Sequence, residues 1–423
     1  MVNVGIIGAG HSGLQLGFAL LQDGDKVTIY SDKRPEDFAG SRLPSSNSVF
    51  SRGLDREREL GLNFWEGQKP LIDHTFVRIG DGSGATVVAF DGRFARHGQA
   101  IDQRLKFATW LQEFENRGGT VVYGAVGADD LEDIASDHDL TVIAAGKGDI
   151  TRLFEVDETR LTYRAPQRRI LMLSVLDAEH PSPDGVLYNI LPGVGEAFGI
   201  PMLMANGVAY TWVLEAVPGG PMDRFSGIDS SEAAFDTAMG IFRDFFPWEV
   251  ERHAQARIAD ANAWLTGGVP PMVRRPVLTL TSGRQLMGIA DVVVLNDPCT
   301  GQGANSASEA ADIIHRAIRE NSDGTFDAEW MEQTFEKFWA YAQWPTLFTN
   351  ALMGQWPEHA VQLLGAAAEL EEIGHRFSGA FNDPRDLPNF FFDPESARRF
   401  TESAVHRAKS RTAMTAQFAN SLT

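Results

Sequence analysis

The chain commits itself within its first thirteen residues. Val2 to Ile7 is an apolar run of strand length, and it leads directly into Gly8-Ala9-Gly10-His11-Ser12-Gly13. Leu14, Leu16, Phe18, Ala19, Leu20 and Leu21 follow with helical spacing, and Val27-Thr28-Ile29-Tyr30 is a second apolar run. A GxGxxG sequence in isolation is only a Gly-rich turn. Between two strands, opening a helix, it is a dinucleotide fingerprint. Gly8 permits the tight turn, Gly10 lets the backbone approach a pyrophosphate, and Gly13 lets helix and strand pack closely. His11 and Ser12 stand at the helix start, where N–H groups and the positive end of the dipole face an anion. Asp32 lies 19 residues beyond Gly13, at the end of the second run, and is the candidate for the ribose hydroxyls. The motif does not choose between NAD and FAD.

The pattern then repeats in outline. Ile101 to Arg117 reads as a helix, Val121-Val122-Tyr123 as a strand, Leu131 to Ile134 as a brief helix, and Leu140 to Gly146 as an apolar strand. From 160 to 280 the texture changes to short strand candidates: Ile170 to Leu176, Val186 to Leu191, Pro201 to Met204 and Val208 to Leu214. Gly193-Val194-Gly195 lacks a following helix and reads as a turn or bulge. Glu232 to Phe246 has helical spacing. Leu286 to Asp291 returns to strand character, and Asn296-Asp297-Pro298-Cys299-Thr300-Gly301-Gln302-Gly303-Ala304-Asn305 opens a helix over Ser306 to Arg319. A second Gly-rich loop at a helix start is a second anion-facing site. Two such loops far apart in sequence favour FAD, whose ribityl chain and ring extend away from the pyrophosphate. From Asp327 onward Trp330, Phe335, Phe338, Trp339, Tyr341 and Trp344, then Phe390-Phe391-Phe392, read as the core of a helical appendix, with a partner surface as the alternative.

The expected fold is α/β: a Rossmann-like, glutathione-reductase-like FAD-binding domain, a mixed or antiparallel sheet over the substrate, and a helical C-terminal segment. The expected division is 1–48, 98–160 and 281–325 for FAD, 49–97 and 161–280 for substrate, and 326–423 for the helical segment. Composition narrows the partners. With 37 Lys and Arg against 57 Asp and Glu, the formal charge of the 423 residues is −20. That excludes a broad nucleic-acid footprint and an anionic membrane surface. One cysteine, Cys299, excludes an intrachain disulfide and a Cys-rich zinc site. No metal is expected. The start reads as a strand rather than a leader, and no run suggests a membrane span, so a cytoplasmic location is expected.

The assembled motifs resemble the flavoprotein monooxygenases, and within them the oxygenase component of the styrene and indole monooxygenases. The resembling segments are Gly8 to Gly13, Val27 to Asp32, Gly40-Ser41-Arg42-Leu43, Ile101-Asp102 with Arg104-Leu105, Ala145-Gly146-Lys147, Gly267-Gly268-Val269, and Asp297-Pro298 with Gly301 to Asn305. The resemblance implies loosely bound FAD and reduced FAD supplied by a separate NADH-dependent flavin reductase. It also implies O2 activation as a C4a-(hydro)peroxyflavin, and epoxidation of a small apolar aromatic alkene such as styrene or indole. By position, Gly8, Gly10, Gly13 and Asp32 resemble the ADP-binding group, and Arg42 and Leu43 resemble residues lining the flavin side of the pocket. Asp291 resembles the acid at the ribityl chain. Pro298 and Gly301, Gly303, Ala304 and Asn305 resemble the loop against the isoalloxazine. Three departures stand out: Ala290 replaces the usual glycine before Asp291, Ser45 stands where an active-site Asn is expected, and the pocket side around Cys299 and Thr300 differs.

The chemistry needs no protein base, because the cofactor carries the hard step. The protein orients the substrate and excludes water. The candidate catalytic positions are Arg42, Leu43, Ser45, His74 and Thr300, with His74 read either as a pocket residue or as an ordinary loop or core histidine. His97 lies in a polar turn with Arg93 and Arg96 and reads as surface. Arg42 reads as a cation facing reduced flavin or as a surface charge. The N–H groups near Gly301 to Gly303 read as stabilisers of flavin N1 and O2, or as a plain helix cap. Cys299 reads as a pocket wall. No second GxGxxG lies between a strand and a helix, which favours delivery by a reductase over an embedded NAD(P)H domain. The alternatives are a one-component aromatic hydroxylase using NAD(P)H and a non-catalytic flavin-binding sensor. A halogenase is disfavoured, since no Trp-x-Trp-x-Ile-Pro stretch is present. A homodimer is left open.

Overall fold

The computed structural model describes residues 1–423 apart from Ser46, Lys147, Pro181, Ser182, Pro183, Asp323, Leu422 and Thr423, and apart from the side chains of Thr412, Ala413 and residues 415–421. Lys147, part of one resembling segment, therefore lies outside the described residues. The chain opens on β1 (Asn3–Ile7), α1 (His11–Gln22) and β2 (Lys26–Ser31). Next come α2 (Pro35–Ala39), β3 (Ser48–Val49), α3 (Ser51–Glu59) and a long hairpin, β4 (Ile72–Gly80) and β5 (Thr86–Ala100). Helix α4 (Gln103–Asn116), β6 (Thr120–Tyr123), α5 (Leu131–Ser136) and β7 (Leu140–Ile143) follow. Then come β8 (Arg169–Leu176), β9 (Gly185–Leu191), β10 (Gly195–Met204), β11 (Gly207–Ala216) and α6 (Ser231–Phe245). Short strands β12 (Arg257–Ile258), β13 (Trp264–Gly267), β14 (Met272–Val273), β15 (Val277–Thr279), β16 (Gln285–Gly288) and β17 (Val294–Leu295) lead to α7 (Gly303–Glu320). The tail is α8 (Ala328–Met353), α9 (Glu358–Ala367), α10 (Glu371–Asn382) and α11 (Pro394–Ser421).

Two sheets organise these elements. The first runs β15-β16-β7-β1-β2-β6 and is parallel except at the β15 edge. Its central strands are apolar on both faces, as a sheet covered by helices on each side requires. Val4, Ile6, Ile29 and Val142 are buried against Leu14 and Phe18 of α1 and Trp110 and Phe114 of α4. Gln15 on α1 donates to Ser308 O on α7 at 3.1 Å, so the two helices that follow the Gly-rich loops lie side by side.

The second sheet runs β12-β8-β11-β10-β9-β4-β5-β3. It is antiparallel apart from the parallel pairing of β4 with β9, and so is mixed. Helix α6 covers one face, with Trp212, Phe242 and Trp264 in the core between them. The other face meets the tail: Phe198, Ile200 and Val213 share a core with Phe348, Phe377 and Phe381. The aromatic residues of the tail are therefore largely core, and Phe335, Phe338, Tyr341, Phe390 and Phe391 are buried. Helix α10 lies so close on β5 that a Cβ at Gly92 would stand 2.3 Å from Gly374 O.

Two expectations change. Arg93, Arg96 and His97 are not in a turn; they lie within the fifteen residues of β5. Phe90, Gly92 and Phe94 are buried at alternate positions, and the polar residues between them form the outward half of the strand. The strand expected at Pro201 begins earlier, at Gly195, directly after a turn in which Val194 N–H donates to Leu191 O at 2.9 Å. No described helix is long and apolar enough to cross a membrane.

Candidate functional site

The three glycines of the first loop do three different things. Gly8 has φ +117°, and a Cβ there would meet Ala145 N at 2.7 Å. At Gly13 a Cβ would stand 2.1 Å from Gly8 O, so helix and loop pack backbone to backbone. Around Gly10 nothing lies within 4 Å of that position. The protein itself does not need a glycine at 10; the open space beside the start of α1 does. Helix α1 carries no side-chain cap, so its first N–H groups remain available to an anion. Asp32 is exposed one residue beyond β2, at the carboxyl end of the sheet.

His11 belongs to this loop by its backbone only. Its ring is buried edge-on to Trp110, with centroids 5.3 Å apart, and Nε2 stands 3.9 Å from Glu57 Oε1. Glu57 is itself ion-paired with buried Lys106. Burial, and then the charge of Lys106, hold the His11 pKa well below its ordinary value. Ser12 is likewise buried.

The second loop starts where β16 ends. Ala290 holds φ +49°, the left-handed conformation a glycine would take without strain. Gly146, just past β7, is obligatory, because a Cβ there would come within 2.7 Å of Asp291 Cβ. Asp297 Oδ1 accepts from Cys299 N–H at 3.1 Å, capping the short turn Pro298–Thr300. Gly301 then turns left-handed, with φ +63°. Helix α7 begins without a side-chain cap, and nothing lies within 4 Å of a Cβ at Gly303. Ala304 is half-buried. The Asn305 amide is used by the protein: it accepts from Phe50 N–H at 2.8 Å and donates to Ser48 O and Gly301 O, both at 3.0 Å. The side chain thus clamps β3 and its exit to the loop. Gln302 does similar work, donating to Phe381 O at 2.9 Å.

That loop is one wall of a narrow apolar cavity. Val186, Tyr188, Phe198, Ile200 and Val213 line it from the second sheet, and Ser48, Phe50, Thr75 and Phe94 from the β3–β5 region. Pro298, Cys299, Thr300 and Gly301 line it from the loop and Phe381 from the tail. Cys299 is a buried wall, and burial pushes its thiol pKa well up. Thr300 Oγ1 lies 2.5 Å from Thr349 Oγ1 on α8.

The remaining expected positions lie off this wall. His74 is excluded by strand alternation: Thr75 faces the cavity, whereas the His74 ring stacks on Phe76 with centroids 5.7 Å apart. Its Nδ1 lies 2.5 Å from Asp73 Oδ1. Arg42 is exposed, with its guanidinium 4.3 Å from the centre of the Trp264 ring. Leu43 is buried and donates its N–H to Asn262 O at 3.0 Å. Ser45 accepts from Gln103 Nε2 at 3.0 Å. The sequence reading passed over Asn47. It is wholly buried, and its amide approaches the His11 ring without hydrogen-bond geometry. The signal was a lone amide in the polar run Pro44 to Ser48, directly before apolar Val49-Phe50.

Comparison with known proteins agrees with this geometry. Residues 146–252 match the family described as "Styrene monooxygenase A putative substrate binding domain". That span holds β8 to β11 and α6, the sheet over the cavity. Over 400 residues the chain is 29% identical to styrene monooxygenase StyA of Pseudomonas fluorescens, covering 93% of this chain and 95% of the relative. The same figures hold for StyA of a Pseudomonas species. Among solved structures, a flavoprotein/dehydrogenase from Cytophaga hutchinsonii superposes with a TM-score of 0.66 at 15% identity, over 96% of this chain and 99% of that one. The myxobacterial chondrochloren halogenase CndH, a FAD-dependent halogenase, superposes with 0.60 at 14% identity, over 80% and 78%. These two likenesses concern the fold. The resemblance first read from scattered motifs thus extends along nearly the whole chain.

Proposed function

We propose that the protein is the oxygenase component of a two-component FAD-dependent monooxygenase that epoxidises a small apolar aromatic alkene such as styrene or indole. One observation carries the reading. Two uncapped helix starts, each with an open glycine at Gly10 and Gly303, flank the carboxyl ends of one parallel sheet, and the loop before the second is a wall of an apolar cavity. FAD fits this arrangement. Its pyrophosphate would lie over Gly10, its ribose hydroxyls near Asp32, and its ring against Pro298 to Gly303. Reduced and with O2, the flavin supplies an electrophilic oxygen; one oxygen atom enters the alkene and the other leaves as water.

The residues of this chain then have definite tasks. N–H groups at the start of α7 hold negative charge on the pyrimidine side of the ring. Phe94, Phe198, Ile200, Val213 and Phe381 desolvate the alkene and orient it. Thr300 and Thr349 share one hydrogen bond between their hydroxyls, which draws the Thr300 oxygen towards α8 and lowers the polarity of the wall nearest the flavin. Labour divides between the two sheets: FAD on the first, substrate between the second and the tail. Reduced FAD comes from a separate NADH-dependent reductase, a reading supported by the single GxGxxG in a strand–helix context.

Product analysis tests this with NADH, a generic flavin reductase, FAD and a panel of aryl alkenes and indoles. Epoxides or their rearrangement products are expected, and only when the reductase is present. Substrate-stimulated NAD(P)H consumption without reductase would instead establish the one-component hydroxylase. Reductase-driven turnover with no oxygenated product from any panel member contradicts the proposal.

A further inference from the structure

Behind the loop wall lies a buried acid cluster that the proposed chemistry leaves unused. Glu196 on β10 and Glu215 on β11 are directly opposite each other across the strands, and Asp297 approaches from the loop. All three are buried, Glu215 with no exposed surface. Arg168 forks onto Glu196 at 2.7 and 2.8 Å and donates to Met353 O at 3.1 Å, so this cation is committed to the first carboxyl. The oxygens of Glu215 and Asp297 and the sulfur of Cys299 lie within 4.8 Å of one another. Asp297 Oδ1 holds the Cys299 N–H, but neither oxygen of Glu215, nor Asp297 Oδ2, meets a donor in hydrogen-bond geometry. Tyr188, on β9, donates its hydroxyl to Cys299 O, so it has no proton left for the acids.

Two adjacent buried carboxylates that share a single backbone N–H and have no cation of their own are not a stable arrangement; one of them keeps its proton. Asp297 already accepts an N–H, which favours its anion. Glu215 accepts nothing, which favours its acid. We propose that Glu215 is a positioning residue for the flavin-facing loop: as the neutral acid it donates its O–H to Asp297, and so keeps Asp297 buried as the cap that shapes Pro298–Gly301. This rests on the reading that the loop faces the flavin. Burial, then the neighbouring Asp297 and Glu196, drive the Glu215 pKa well up, while burial moves Asp297 up to about 6. The groups facing the pair are Glu196, Arg168, Cys299 and Tyr188, and of these only Arg168 opposes the proton. At high pH the shared proton leaves, the second charge appears, and the cap loses its neutral partner.

The test compares wild type with Glu215→Gln, whose amide keeps the donor and cannot ionise. FAD affinity is titrated from about pH 6 to about pH 9, and thermal unfolding of the FAD-free protein is followed over the same range. In wild type the melting temperature of the FAD-free protein is expected to fall as pH rises towards the point where the folded pair ionises and to level off beyond it, and the dissociation constant to rise about tenfold per unit once the pair ionises. In Glu215→Gln both curves are expected to flatten, with affinity at low pH retained. Parallel curves, or an FAD affinity lost in Glu215→Gln at every pH, overturn the proposal. So does stabilisation of wild type by Zn²⁺ or Mg²⁺ that Glu215→Gln lacks, because the pair would then be an ionised metal site. Should the variant fail to fold, infrared spectra of wild type decide: a protonated-carboxyl band present at neutral pH and lost on raising the pH supports the assignment, and its absence overturns it. If FAD binds to neither protein, the proposed function fails, while the unfolding and infrared measurements still judge the pair.

Discussion

Gly10 and Gly13 are three residues apart and respond differently to the same methyl group. Gly10 has φ −86° and ψ −170°, which alanine adopts freely, and open space beside it. Gly10→Ala is therefore expected to fold with wild-type stability and to weaken FAD binding by about tenfold or more, the scale of about 1.4 kcal/mol from one displaced close contact. Gly13→Ala drives a Cβ into Gly8 O and is expected to lower stability by about 3 kcal/mol or more, through overpacking. Calorimetric FAD titration beside denaturant unfolding separates the two effects. At Ala290 two terms compete. Relief of the left-handed φ favours glycine by about 1–2 kcal/mol, and the lost buried methyl opposes it by about 0.8 kcal/mol. Ala290→Gly is expected to gain a little under 1 kcal/mol, read as a higher denaturant midpoint; a loss would show that the methyl packs better than its φ suggests. The glycine positions were legible because each motif fixes backbone, not side chains. The direction of the His11 ring was not, since nothing in GxGxxG says whether a side chain at a helix start faces ligand or core.

Elements explain the other misses. His74 and Thr75 are neighbours on β4, and a strand sends neighbours to opposite faces. Only the register of β4 against β9 and β5 decides which one sees the cavity, and that register is a long-range property absent from a local reading. Strand β5 was hidden because over Arg93 to His97 it is half solvated, so its sequence reads as polar. By contrast β1, β2, β7, α1, α4 and α7 were readable, because buried parallel strands and the helices covering them have strong, local patterns. The clamp between β3 and the α7 loop makes its own demand. Asn305→Ala removes three hydrogen bonds and strands buried backbone groups at Phe50, Ser48 and Gly301. It is expected to destabilise by about 2–4 kcal/mol and to lower FAD affinity as the loop loosens, and Asn305→Asp, which sets a carboxylate oxygen against the Ser48 and Gly301 carbonyls, should cost at least as much. A variant with unchanged melting temperature and affinity would refute the clamp.

Across the whole molecule, charge and burial pull the pH profile in opposite directions. His253 is buried between Trp212 and Phe242, with ring centroids 4.6 and 4.5 Å away, and burial lowers its pKa to about 4. A group that is harder to protonate folded than unfolded stabilises the fold above its unfolded pKa of about 6.5, and that contribution is lost as pH falls towards about 4. The size is about 3 kcal/mol, at about 1.4 kcal/mol per pKa unit. Glu215 and Asp297 have raised values and act with the opposite sign, destabilising as pH rises. That loss begins near the unfolded carboxyl values of about 4 and so overlaps the His253 window; above about pH 6.5 it acts unopposed, and stability is expected to fall as pH rises from there. His253→Phe should remove this contribution, seen as a melting temperature that gains on wild type as pH falls from about 6.5 to about 4. The formal charge of −20 gains meaning at this scale too. On the proposed function, FAD and protein would repel at long range, so the cofactor would be held by oriented backbone at two loops and poised to exchange, as delivery by a reductase would require.

The most direct test is a single turnover without any reductase. Photoreduced FAD is bound anaerobically, styrene or indole is added, and oxygen-18 gas is admitted. The account expects oxygenated product carrying one oxygen-18 atom, in amount tracking the reduced FAD supplied, with no nicotinamide present. Complete flavin oxidation with unlabelled or absent product would contradict it.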